Sequence, residues 1–282
     1  MAKTMVRIDN DFSVSSDPAL GARNVQNNGS TFDVLFNPPI SVPKEAMNIK
    51  VSVERATAWY TFPNISASLG NNKFYVNEGV TPYVLTIPDG LYSLDQLSQS
   101  IINEGTNAGI TNSPNPFIQL TGNEATQRVE ITFGYDNISV DWNSDSPYVI
   151  LGFTQGTTTG PTSSLPVPPA DPLDYQYTAD TVAGFNQVNE IFIKSDLVDN
   201  GIPLNNKFDG VLTNIQISVP PGSQQTYQPF RPLYCSGESL KSASRSNVRF
   251  YLTDENGDFL DTAGEYWTST IRISYDLPMK LE

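Results

Sequence analysis

Alternation of apolar and polar residues runs through most of the chain. Ile49, Val51 and Val53 alternate with more polar neighbours, as do Val129, Ile131 and Phe133, Ile215, Ile217 and Val219, Val248, Phe250 and Leu252, and Ile271, Ile273 and Tyr275. A period of two sends successive side chains to opposite faces, so these stretches predict half-buried antiparallel strands. Together with shorter apolar runs, the pattern predicts strands over 31–36, 47–61, 74–76, 83–87, 117–120, 128–133, 138–142, 149–151, 189–194, 211–219, 247–252 and 268–275. Turn-forming residues separate them, as in Asn37-Pro38-Pro39, Asn71-Asn72-Lys73 and Pro88-Asp89-Gly90.

A helical period stands out in one place. Leu94, Leu97 and Ile101 share a face, Ser93 is placed as an N-cap, and Gln96 three residues on completes a capping box, with Gly105 as the expected stop. This reads as a short amphipathic helix covering an open end of a β-sandwich or barrel. About a dozen strands with one helix predict an all-β fold, an antiparallel jelly-roll β-sandwich with long loops; a parallel sheet would need many more helices. Residues 1–30 are polar and turn-rich and are expected to form an irregular N-terminal arm, with one jelly-roll domain over 31–282. Residues 154–179 lose the alternation and fill with Pro, Thr, Gly and Ser, which predicts a long loop inserted in that domain.

Charge and composition narrow the function. Thirty acidic against 16 basic side chains give a formal charge of −14, so the field of the whole molecule repels phosphates and no direct nucleic-acid binding is expected. Histidine is absent, which excludes Ser-His-Asp and Cys-His nucleophilic sites and histidine-bound zinc. Cys235 is the single cysteine, so no intrachain disulfide forms. No apolar run reaches the roughly 18 residues of a transmembrane helix and no signal-peptide core precedes the first strand, so no transmembrane segment and synthesis in a cytosol are expected. The sequons at Asn28, Asn64 and Asn137 are accordingly read as chance.

Candidate chemistry is sparse. Asp254, Asn256 and Asp258 have the alternate-residue spacing of calcium ligands, but the bidentate Glu such a loop needs is missing, and Asn256-Gly257 signals a hairpin tip instead. They remain the weak metal candidates; no catalytic or cofactor-binding residue is singled out, no cofactor is expected, and the chain is not expected to be an enzyme. Trp59, Trp142 and Trp267 fall in predicted strands and are assigned to the core rather than to sugar-stacking platforms.

The order of the motifs resembles a known family. Ala56-Thr57-Ala58-Trp59-Tyr60 leads to Phe62-Pro63-Asn64-Ile65, then Asn71-Asn72-Lys73-Phe74, then Leu85-Thr86-Ile87-Pro88-Asp89-Gly90-Leu91-Tyr92-Ser93 and its helix, then Ile150-Leu151-Gly152-Phe153. Further on come Pro221-Gly222-Ser223, Leu252-Thr253-Asp254-Glu255-Asn256-Gly257 and Gly264-Glu265-Tyr266-Trp267. This succession resembles the jelly-roll penton proteins of virophages, polinton-like viruses and polintons, over most of the chain from Ala56 to Tyr275. It departs from them in 154–179, which is longer and richer in proline. The resemblance implies a homopentamer at the fivefold vertices of an icosahedral virion, made in the host cytosol and bordered by trimers of a double jelly-roll major capsid protein. Two other readings remain open at this stage: a compact double jelly-roll major capsid protein forming trimers, and a glycan-binding β-sandwich spike protein.

Overall fold

A computed structural model describes residues 5–110, 115–161, 175–186, 188–198, 201–203, 210–241 and 244–279. In chain order the elements begin with β1 (Met5–Ser15), β2 (Ala22–Gln26), β3 (Thr31–Ile40), β4 (Met47–Trp59), β5 (Lys73–Glu78), β6 (Thr81–Thr86) and the helix α1 (Leu94–Ala108). Then follow β7 (Ile118–Asn123), β8 (Arg128–Phe133), β9 (Ile138–Asp141), the one-turn helix α2 (Tyr148–Leu151), β10 (Thr158–Thr159) and β11 (Gln176–Thr178). The chain continues with β12 (Glu190–Ser195), β13 (Val211–Gln216), β14 (Gln224–Tyr227), β15 (Cys235–Ser236), β16 (Arg245–Thr253) and β17 (Thr268–Pro278). The chain divides into two compact units, one built from Met1–Phe62 with Val188–Glu282, the other from Pro63–Gln187.

The first unit has two antiparallel sheets. One runs β1-β17-β4-β14, with β15 also on β4; the other runs β13-β12-β16-β3-β2. Lettering its principal strands B to I along the chain (β1, β3, β4, β12, β13, β14, β16, β17) gives sheet orders B-I-D-G and F-E-H-C, the strand order of a jelly roll. The inner faces carry the alternating residues read from sequence: Val51, Val53, Ile271 and Ile273 from one sheet, Ile193, Val248, Phe250 and Leu252 from the other, all buried. Phe32 packs edge-on against Trp267 at 5.1 Å and stacks with Phe250 at 5.8 Å, joining the two sheets. All three rings are essentially inaccessible, and truncating any one of them to Ala costs about 3–5 kcal/mol by the usual cavity arithmetic.

The expected arm over 1–30 is not what this segment does. Met5–Ser15 pairs with β17 in continuous register from Met5 opposite Pro278 to Ser15 opposite Thr268. Arg272 clamps the pairing, donating to both carboxylate oxygens of Asp11 at 2.7 and 2.8 Å and lying 3.3 Å from Glu54 on β4. Beyond β1, the backbone N–H of Trp267 donates to Ser16 Oγ at 2.9 Å and its indole Nε1 to the Gly29 carbonyl at 3.1 Å. Gly29 has φ +98°, and a Cβ there would sit 2.8 Å from Thr262 Oγ1, so both backbone and space require glycine. The single domain over 31–282 is likewise replaced: the chain leaves the jelly roll after β4, builds the second unit, and returns at β12.

The second unit has a four-stranded sheet β10-β9-β5-β6 and a three-stranded sheet β11-β8-β7. Its core gathers Phe74, Phe117, Phe133 and Trp142 with Leu97 and Ile101 of α1. The capping box forms as expected, Ser93 Oγ accepting from the Gln96 amide and Gln96 Oε1 from the Ser93 amide. Gly105 does not end the helix, however. It lies inside α1, whose cap is Gly109 at φ +91°, and a Cβ on Gly105 would come within 2.4 Å of the Phe117 ring. Its role is close packing. Ser98 Oγ accepts from the Leu120 amide at 3.0 Å, fastening α1 to β7. The strand expected over 149–151 is instead the single turn α2, an apolar run too short for periodicity to decide between the two forms. Of the 154–179 insertion, the described part contributes β10 and β11 to the two sheets of this unit, and 162–174 fall outside the described residues.

Candidate functional site

The candidate metal ligands form a turn. Asp254 Oδ1 accepts from the amides of Asn256 and Asp258, both at 2.9 Å, and Gly257 N–H reaches back to the Asp254 carbonyl at 3.2 Å. The Asp254 amide donates to the Asp258 carbonyl at 2.9 Å, Thr253 bridges to Phe259, and Gly257 takes φ +93°, so 252–260 is a tight local hairpin. The hairpin is local to the end of β16 and does not pair it with β17, which lies in the other sheet. The three side chains share the tip, with Asp254 occupied by backbone donors; no cluster of three or more acidic, Cys or His groups suited to a metal occurs among the described residues.

The motifs that carry the resemblance do structural work. Asn64 is buried: its Oδ1 accepts from the Tyr92 amide at 2.8 Å, while its Nδ2 donates to the carbonyls of Tyr92 at 2.9 Å and Phe185 at 3.2 Å. Asn71 does the same locally, accepting from Ser66 N at 2.9 Å and donating to the Asn64 carbonyl at 2.8 Å. Asp89 accepts from Ala67 N at 2.8 Å, so the asparagine-rich turn and the Ile-Pro-Asp-Gly turn are stitched together ahead of α1. In Leu151-Gly152-Phe153, Gly152 caps α2 at φ +81° with the Thr181 carbonyl 2.3 Å from where a Cβ would be, and Phe153 stacks on Trp142 at 4.4 Å. These motifs fix turns and packing contacts.

Two of the three tryptophans are core, as expected; Trp59 is 37 % exposed at the end of β4. Cys235 is buried under the carbonyls of Val211 and Leu212, and burial pushes its thiol pKa up to about 11, which leaves it a poor nucleophile.

What sequence reading missed is a polar pocket of about 470 Å³ on the outward face of the second jelly-roll sheet. Pairing of Lys194 with Tyr251, of Tyr251 with Thr31, and of Phe192 with Thr253 puts these residues on the face opposite the core residues Ile193, Phe250 and Leu252. The 254–259 turn covers it: a Cβ on Gly257 would lie 3.7 Å from Lys194 Nζ, and Phe259 packs edge-on against Tyr251 at 5.9 Å. Beside it, buried Asp33 accepts from Arg249 Nε at 2.7 Å and from Asn24 Nδ2 at 2.8 Å, and the Arg249 hydrogen bond holds its carboxyl below the usual range. Asp196, whose carboxyl is raised by burial, accepts from the Arg249 amide at 2.8 Å. The signal available in the sequence was Ile191-Phe192-Ile193-Lys194, apolar on both faces of a strand and closed by a charge.

No helix among the described residues is long and apolar enough to cross a membrane. No protein-family model and no curated protein matches the sequence. Among solved structures, the crystal structure of the selenomethionine-labelled mavirus penton protein aligns with a TM-score of 0.47 and 13 % identity, over 96 % of this chain and all of that one. A likeness at that level carries no functional argument of its own.

Proposed function

We propose that this chain is a structural capsid protein, the penton that forms homopentameric fivefold vertices of an icosahedral virion. The observation that carries the proposal is the jelly roll of the first unit, with its complete B-I-D-G and C-H-E-F strand order. A fold alone does not specify function, and the succession of motifs from Ala56 to Tyr275 supplies the second support. A cyclic pentamer needs a heterologous interface, two different surfaces of one subunit that meet around the ring. The first sheet offers two unlike edges: β1, eleven residues long with Met5 and Val6 exposed, and β14, followed by the loop bearing Phe230, which is 95 % exposed. Trimers of a double jelly-roll major capsid protein would be its neighbours, the host cytosol its place of synthesis, and assembly rather than catalysis its activity.

The double jelly-roll reading loses support on topology. It needs two successive jelly rolls, whereas the described strands of Pro63–Gln187 form β10-β9-β5-β6 and β11-β8-β7, an order unlike that of the first unit, inserted between its strands D and E. Light scattering on the purified chain tests the proposal: a mass five times 30.9 kDa supports it, and a stable trimer overturns it in favour of a major capsid protein.

A further inference from the structure

The covered pocket of the jelly roll is a built polar site that assembly does not require. Outer faces of antiparallel sheets are ordinarily wet, yet here Lys194 and Thr253 are each only 1 % accessible and Thr31 5 %. Thr253 is among the residues that line the cavity, and its Oγ1 is buried with no hydrogen-bond partner, a state that native structures avoid unless something else satisfies the group. The volume falls within the roughly 300–1,000 Å³ of small-molecule sites.

Its lining decides the chemistry of the ligand. Lys194 and Arg249 bring donors and Asp196 an acceptor, so a simple cation would meet two like charges and a simple anion one. Gln26 and Asn27 add side-chain amides, which can donate and accept, the Asn27 Nδ2 already donating to Thr31 Oγ1 at 3.2 Å. Tyr251 and Phe259 contribute an aromatic wall, with Phe259 55 % exposed at the mouth. A ligand that donates and accepts around its edge and offers an apolar C–H face to an aromatic ring is a sugar. We propose that this pocket binds a sugar ring of a glycan, with Thr253, Asp196 and Arg249 contacting hydroxyls and Phe259 packing on the ring face. The inference stands on the pocket alone and does not depend on the capsid reading.

The full-length chain would be applied to an array of mono- to tetrasaccharides, and the free sugar of the strongest spot titrated by saturation-transfer NMR. Wild type is expected to bind. Phe259→Ala, at an exposed position, and Thr253→Val, which removes the unpartnered hydroxyl at nearly constant volume, are each expected to weaken binding at least tenfold. Thr253→Val should also melt no lower than wild type, so its loss of binding is not a loss of folding. An empty array, or affinity within twofold of wild type in either variant, overturns the proposal.

Discussion

Replacing Gly105 by alanine separates helix propensity from packing. In an exposed helix interior the change stabilises by about 1 kcal/mol, because glycine loses more backbone freedom on folding. Here the added methyl would lie 2.4 Å from two carbons of the Phe117 ring and 3.4 Å from Ile110 Cδ1. Phe117 is fully buried, so the ring has no solvent to swing into, and overpacking of this kind costs about 1–3 kcal/mol. Packing outweighs propensity, and the net expectation is a destabilisation of up to about 2 kcal/mol, or up to roughly 8 °C in the melting of the second unit. Urea unfolding followed by the fluorescence of Trp142, in a background with Trp59 and Trp267 changed to Phe, reads this unit. Phe117→Leu costs stability alone, but combined with Gly105→Ala it should recover part of the loss, giving a favourable coupling of about 1 kcal/mol. A Gly105→Ala protein more stable than its parent would refute the packing argument.

Further outcomes are expected. Deleting residues 1–15 uncovers the β17 edge and should give insoluble or aggregated protein, whereas a dispensable arm would leave yield and melting unchanged. Arg249→Gln leaves the Asp33 carboxylate buried without its ion pair and should cost about 2–3 kcal/mol at pH 7. Because Asp33 titrates lower when folded, that contribution is present above the unfolded carboxylate value near 3.9 and fades as pH falls through the folded one, so the gap between variant and wild type should narrow below pH 4 in melting curves. Gly257→Val forces a β-branched residue to φ +93° and should lower stability by about 1–3 kcal/mol and disturb oligomer formation; unchanged melting and size would show that the 252–260 hairpin tolerates it.

Local patterns in the sequence located most of the strands and the capped helix, because alternation and capping are properties of neighbouring residues. Partners are not local. Nothing in Val248-Arg249-Phe250 says that β16 joins β3 and β12 while β17, fifteen residues on from Thr253, joins β1 and β4, so one domain was expected where two units form. The N-terminal strand had a usable signal in Val6, Ile8, Phe12 and Val14, interrupted by Asn10 and masked by charge; as an edge strand it buries only Val14 fully. Strands β14 and β15 are too short to show a period and exist because β4 offers them an edge. The covered pocket was invisible for a similar reason: its residues come from four strands and the turns beside them, and only Lys194 at the end of an apolar run marked it.

The central claim is a jelly roll that closes into a fivefold ring. Electron microscopy of the oligomer purified at assembly concentration tests it most directly. The account predicts top views with five-fold symmetry, each arm containing one jelly roll; three-fold rings, or single chains at every concentration examined, would contradict it.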